Sequence, residues 1–411
     1  MKRSMVLTCF LMAFFLFMLA ACHSTEDGGE RTEDRKPDAE NASIIENAPE
    51  PQEPEPPPDP MEEYINACLN ELSLEEKIGQ MFICAFRDTA QGVTEINGAM
   101  REALGSYHLG GVILFTENLR DKEQTKKLIT NLQSASAIPL FIAMDEEGGI
   151  VSRLSALGYD KLPSASRIGS SGDNAQAFEQ GRTIAANLKG LGINVDFAPV
   201  ADINSNKQNT VIGSRAFSDD PEIAGEMVRE FVKGLQGEGI IATLKHFPGH
   251  GDTTEDTHYG WASVTHDLAR LTEQELVPFK MGIEAGVGFI MVGHISVPNV
   301  TGNDKAATFS QEIVTAILRE QLGYSGVIIT DALDMGAVVK YYEPAETAVQ
   351  AVLAGVDILL MPQDVSLAFN GILKAVEDGE ISESRIDESL SRILRTKALF
   401  GIVDTQGGFG R

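Results

Sequence analysis

Short apolar runs rich in β-branched and aromatic residues recur eight times in the chain: QMFICAF from Gln80, GGVILF from Gly110, PLFIAM from Pro139, INVDFAPV from Ile193, GIIATL from Gly239, GFIMVG from Gly288, GVIITD from Gly326 and VDILLM from Val356. Continuous rather than alternating apolarity marks strands covered on both faces. Between them the pattern shifts to a helical period, as in DKEQTKKLITNLQSAS (121–136), PEIAGEMVREFVKGLQGEG (221–239) and SQEIVTAILREQLG (310–323). These stretches open on acidic or Ser residues and close on Gly, as capped helices do. Eight alternations of strand and helix predict an α/β fold, a single (β/α)8 barrel. An open doubly wound sheet is the competing arrangement, and the first strand lacks the GxGxxG turn that would favour it.

The two ends follow other rules. Lys2 and Arg3 precede an apolar run, Met5 to Leu19, which closes in Leu19-Ala20-Ala21-Cys22. That is the layout of a secretory signal, and the run is shorter than the roughly 20 apolar residues of a spanning helix. Cys22 after Ala21 resembles the bacterial lipoprotein signal, which implies lipidation of Cys22 and an exported protein anchored on the extracytoplasmic face of the cell membrane. Residues 23–60 hold Glu, Asp, Pro, Ser, Thr and Asn, end in PEPQEPEPPPDP, and read as a disordered, extended tether. The catalytic barrel is expected over 61–404, a normal span for one barrel, with 405–411 as a short tail and no further domain.

A net charge of -27 argues against nucleic acid and against electrostatic docking on anionic lipid. Of the four cysteines, Cys9 leaves with the signal and Cys22 is the lipid site, which leaves Cys68 on a predicted helix and Cys84 in a predicted strand. At such dissimilar positions they read as buried thiols rather than a disulfide.

In such barrels chemistry sits on the loops after the strands. Polar residues collect there: Asp145-Glu146-Glu147 after the third strand, Asp202 and Asn204 after the fourth, Lys245-His246 after the fifth, His294 after the sixth and Asp331 after the seventh. The densest stretch is KHFPGHGDTTEDTHYG, Lys245 to Gly260. Titratable groups crowded on a glycine-broken loop are costly to bury without a purpose.

With KHFPGHGDTTEDTH at 245–258, DEEGGIVSR at 145–153, ADINSNKQNTVIGSRAFSDDP at 201–221 and GVIITDALDM at 326–335, the chain resembles the family-3 glycoside hydrolases, in their β-N-acetylglucosaminidase branch. The resemblance spans 61–403. It implies retaining hydrolysis of a terminal β-linked N-acetylglucosamine, from a cell-wall muropeptide or a chitin-type oligosaccharide, by a barrel without cofactor or metal. It makes Asp331 the nucleophile and assigns Asp145, Arg153, Arg215, Lys245 and His246 to the sugar. Chemically these five suit hydroxyl recognition: Asp145 accepts from two neighbouring hydroxyls and the others donate. The acid/base is expected to be His258, which titrates near neutrality, oriented by Asp256. The family usually has Asp-Ser-His where this chain has Asp256-Thr257-His258, a change that keeps the hydroxyl. Glu146 and Glu147 read as supporting charges, His250 and Asp252 as loop-shaping, and His294 as a residue of the rim in reach of an aglycone.

Three other functions fit parts of the pattern. A metal-dependent hydrolase would use His246, His250, Asp252 and His258 as ligands. A surface sugar-binding lipoprotein would need no nucleophile. A phosphorylase on the same site is physically reasonable, because a neutral histidine repels phosphate less than a carboxylate does.

Overall fold

The computed structural model describes residues 59–88, 92–253 and 262–406. All eight apolar runs form parallel strands: β1 (Phe82–Ala85), β2 (Gly111–Ile113), β3 (Phe141–Met144), β4 (Val195–Asp196), β5 (Ile241–Phe247), β6 (Phe289–Val292), β7 (Val327–Thr330) and β8 (Leu359–Leu360). They pair in sequential order, and β1 pairs with β8. A parallel bridge from Ile329 to Ile358 joins β7 to the chain entering β8 and closes the ring. The fold is the expected (β/α)8 barrel. Parallel neighbours need long crossovers, and the helical stretches supply them.

The crossover helices begin where the sequence places their caps. Asp121 accepts the Gln124 N–H, and Asp220 accepts the N–H groups of Glu222 and Ile223. Residues Glu312–Gln321 form a helix as their pattern requires, but a wider one, wound as a π-helix. Two small strand pairs decorate the mouth of the barrel. Glu146–Gly148 and Val151–Ser152 form an antiparallel hairpin beyond β3, and Ala262–Ser263 runs parallel to Ile295–Ser296.

The opposite end is closed by the chain termini of the described region. The helix Pro60–Glu71, capped by Asp59, buries Tyr64, Ile65 and Cys68 against Leu390 and Leu394 of the helix Glu383–Leu399. Arg395 pairs with Glu62 across this contact. Cys68 and Cys84 are free, buried thiols, as expected, and burial pushes them up to about 11 and about 12. Among the described residues no helix is long and apolar enough to cross a membrane.

Candidate active site

The C-terminal mouth of the barrel holds a cavity of about 290 Å3 lined by Asp145, Glu147, Arg153, Arg215, Lys245, His246, His250 and Asp331 among others. Asp145 and Asp331 directly follow β3 and β7, and Lys245 and His246 lie within β5. Arg153 follows the hairpin, and Arg215 ends the short turn Gly213–Arg215 in the long segment after β4. Six of the expected site residues therefore share one cavity. Asp256, His258 and the lipid-site Cys22 lie outside the described residues.

Charge in the cavity is balanced by a four-membered cluster. Lys245 Nζ sits 2.8 Å from Asp145 Oδ1 and 2.6 Å from Glu147 Oε1. Arg215 grips Glu147 with two bonds, Nε to Oε2 and Nη2 to Oε1, each 2.8 Å. Burial opposes the Glu147 charge, yet Lys245 and Arg215 bring its pKa down to about 2. The same carboxylates outweigh burial at Lys245 and hold its pKa above the ordinary lysine value. Glu147 is thus the keystone between two cavity-lining cations. Glu146 supports differently: its Oε2 accepts the N–H groups of Arg153 (2.6 Å) and Leu154 (2.8 Å), which shapes the hairpin. Arg153 Nε is buried with no hydrogen-bond partner, a donor left for something in the cavity.

A second buried carboxylate organises the histidines. Asp202 accepts His246 Nδ1–H at 2.7 Å, the His246 backbone N–H at 3.1 Å and the His250 N–H at 2.6 Å. His250 Nδ1 meets Thr253 Oγ1 at 2.7 Å, and Asp252 Oδ2 meets His266 Nε2 at 2.6 Å. Of the ligand set considered for a metal, His246, His250 and Asp252 take these partners, and His258 lies outside the described residues. No group of three or more His, Cys, Asp and Glu among the described residues is arranged to hold a metal ion. His294 departs from expectation. It is only 1% exposed and its ring lies against Thr308 and Ala332, so it is not a rim residue in reach of an aglycone.

Asp331 is half-buried at the base of the cavity, with its Oδ1 accepting the Ala332 N–H at 2.8 Å. Burial raises its pKa, but His246, His294 and the Ala332 N–H outweigh that and keep it below the usual carboxylate value. Asp196, at the end of β4, is the opposite case. Fully buried with Oδ2 unpartnered, it has a pKa far above the ordinary value. Sequence reasoning passed over it, along with the cavity-lining Arg87, Phe115, Asp334 and Met335. Phe115 was findable, because it ends the β2 run. Asp334 and Met335 close the GVIITDALDM motif, which gave them no role of their own.

Residues 73–396 match the Glycosyl hydrolase family 3 N terminal domain. The chain belongs to glycoside hydrolase family 3. It is 34% identical over 318 residues to a β-hexosaminidase of Xanthomonas oryzae pv. oryzae, covering 75% of this chain and 89% of that protein. It is also 34% identical over 376 residues to β-hexosaminidase A of Pseudoalteromonas piscicida, covering 81% of this chain but 62% of that longer protein. Among solved structures it is similar to a family-3 β-N-acetylglucosaminidase from Paenibacillus sp. str. FPU-7, with 40% identity and a TM-score of 0.78 over 80% of this chain and 63% of that one. A β-N-acetylhexosaminidase from Beutenbergia cavernae aligns at 29% identity and a TM-score of 0.73, over 80% of this chain and 99% of its own. The family-3 membership fits a site built around carboxylates, two arginines and a lysine at the mouth of the barrel.

Proposed function

We propose that the chain is a retaining exo-β-N-acetylglucosaminidase, removing a terminal non-reducing β-linked N-acetylglucosamine from a cell-wall or chitin-type oligosaccharide. One observation carries the reading: a carboxylate held ionised at the base of a cavity that also gathers Asp145, Arg153, Arg215, Lys245 and His246. A volume of about 290 Å3 is near the lower end for ligand pockets and suits one sugar ring, which favours action on a chain end. Named relatives that are β-hexosaminidases and β-N-acetylglucosaminidases supply the acetamido preference.

In this reaction Asp331 attacks the anomeric carbon as the bond to the leaving oxygen breaks, and His258 supplies the proton that oxygen takes. Water then attacks the same carbon while His258 takes back a proton, and Asp331 is released. Asp256 orients the imidazole. Asp145, Lys245, Arg215 and His246 grip hydroxyls, and Arg153 offers its unsatisfied Nε–H to a sugar oxygen. The protein is further proposed to reach its substrate from a lipid anchor on Cys22 at the extracytoplasmic membrane face. Cys22→Ser should release it from membranes, and unchanged membrane association would sink that part.

Aryl β-glycosides assayed with and without phosphate test the reading. Aryl β-N-acetylglucosaminide should be cleaved far faster than aryl β-glucoside, with free sugar as product in both buffers. Comparable kcat/KM for the two sugars would refute the acetamido assignment. A sugar 1-phosphate formed only in phosphate would make the chain a phosphorylase.

A further inference from the structure

A nucleophilic carboxylate must present one oxygen in a fixed direction, yet the terminal torsion of Asp is broad and gives little direction by itself. The structure supplies a restraint from an unexpected side. His294, just past β6, is buried and does not line the cavity, but both its ring nitrogens are engaged. Nε2 lies 3.0 Å from Ala332 O, and Nδ1 lies 2.9 Å from Thr308 Oγ1. A carbonyl oxygen only accepts, so Nε2 carries a hydrogen. Burial lowers the ring's pKa, and the Thr308 hydroxyl beside Nδ1 is itself tied to the backbone, donating to Val292 O at 3.1 Å and Gly293 O at 3.0 Å. Thr308 is fully buried, and Phe309 stacks on the imidazole with centroids 6.3 Å apart and planes at 17°. The ring's orientation is held by contacts at both nitrogens.

The far side of this contact is the nucleophile. Ala332 N–H donates to Asp331 Oδ1, and Asp331 N–H donates to Val292 O at 2.9 Å, continuing the β6–β7 ladder. The next peptide is bolted at both ends, its oxygen to His294 and its Leu333 N–H to Leu360 O at 2.9 Å. Ala332 is therefore clamped between β6 and β8. Among the described residues, Oδ2 of Asp331 has no hydrogen bond competing for it.

We propose that His294 is a positioning residue for the reaction: by holding the Ala332 carbonyl it sets the Ala332 N–H against Oδ1 of Asp331 and leaves Oδ2 aimed into the cavity. This rests on Asp331 being the nucleophile. The family resemblance places His294 only at a strand end and gives it no such task.

The test measures the rate of covalent capture by a 5-fluoro glycosyl fluoride of N-acetylglucosamine, beside the Kd for N-acetylglucosamine and the Tm. His294→Leu should slow capture on the order of 100-fold, the scale of a misplaced reacting atom, with Kd changed by less than about 3-fold because His294 does not itself line the cavity. His294→Gln, whose amide N–H can reach Ala332 O, should recover most of that rate. Thr308→Val, which removes the hydroxyl that links Nδ1 to the Val292 and Gly293 carbonyls, should slow capture about 10-fold and carries the test if His294→Leu does not fold. Capture at the wild-type rate in His294→Leu or Thr308→Val would overturn the proposal. So would a Gln variant as slow as the Leu variant, or a Kd that worsens in step with the rate. An Asp331→Asn protein that still hydrolysed substrate would instead overturn the nucleophile assignment beneath it.

Discussion

Glu147 and Lys397 show how far a single buried charge depends on its company. Glu147 is almost fully buried, yet it is satisfied by Lys245 and by both arms of Arg215. Glu147→Ala would leave Arg215 without its carboxylate, and breaking a buried pair from one side costs about 3–5 kcal/mol. Urea unfolding should show a loss of that size, with kcat/KM falling because two cations of the cavity lose their alignment. An unchanged midpoint would mean water or Asp145 takes over. The depressed pKa fixes the pH sense: the stability from Glu147 is whole above the unfolded value near 4.3 and is lost as pH falls through about 2. Lys397 is the reverse. It is 0% exposed, with Nζ bonded to Gln80 Oε1 at 2.8 Å, and burial brings its pKa down to about 7. Above pH 7 the folded lysine is neutral while the unfolded one keeps its proton up to about 10.4, so the unfolded state binds more protons and stability rises with pH. The wild-type minus Lys397→Met stability difference should therefore climb between pH 7 and 10 by up to about 1.4 kcal/mol per pH unit. A flat difference curve would show that Lys397 stays charged.

At the scale of elements, the hairpin beyond β3 brings Glu147, Val151 and the Arg153 that follows it to the cavity. Its turn uses Gly148 and Gly149 at φ of 81° and 59°, and a side chain on either would meet Pro163 or Ser164 at under 3 Å. Glu146 fastens its outgoing end by accepting two backbone N–H groups. Glu146→Ala orphans both donors, a cost of about 1–3 kcal/mol, and frees Arg153 to drift. The expected signature is a KM several-fold higher with kcat nearly kept, as befits lost substrate grip rather than lost chemistry. A fall in kcat alone would place Glu146 in the reaction itself. The helix Glu312–Gln321 shows what the pattern does not encode. In so short a stretch apolar spacing reveals that a helix forms and not which hydrogen-bond ladder winds it.

For the whole molecule, the decisive contact is the one that closes the ring. Asp357, 0% exposed at the entry to β8, receives Arg319 Nη2, Arg392 Nη1 and Ser389 Oγ, each at 2.8 Å, and accepts the Ile328 N–H at 3.0 Å. One carboxylate thus ties β7, β8, the π-helix and the helix Glu383–Leu399 together, on the side away from the cavity. Asp357→Ala should cost about 3–5 kcal/mol and lower Tm as one cooperative transition, while kcat per folded molecule stays at the wild-type value. Lost activity at temperatures where the variant is fully folded would mean the closure also shapes the mouth.

Much of this was legible in the chain before any folding. Strands buried on both faces must be continuously apolar, so eight runs announced eight strands, and chain order with right-handed crossovers then left little choice of topology. Because barrel chemistry lies at strand ends, Asp145, Lys245, His246 and Asp331 could be named from position, and family resemblance added Arg153 and Arg215. Tertiary structure alone decided what each group faces. Glu147 as keystone, the burial that raises the pKa of Asp196 and the inward turn of His294 follow from distances between strands far apart in sequence. A charge, a tautomer or an orphan donor is defined by its neighbours and by the water they exclude, and that is written in space rather than along the chain.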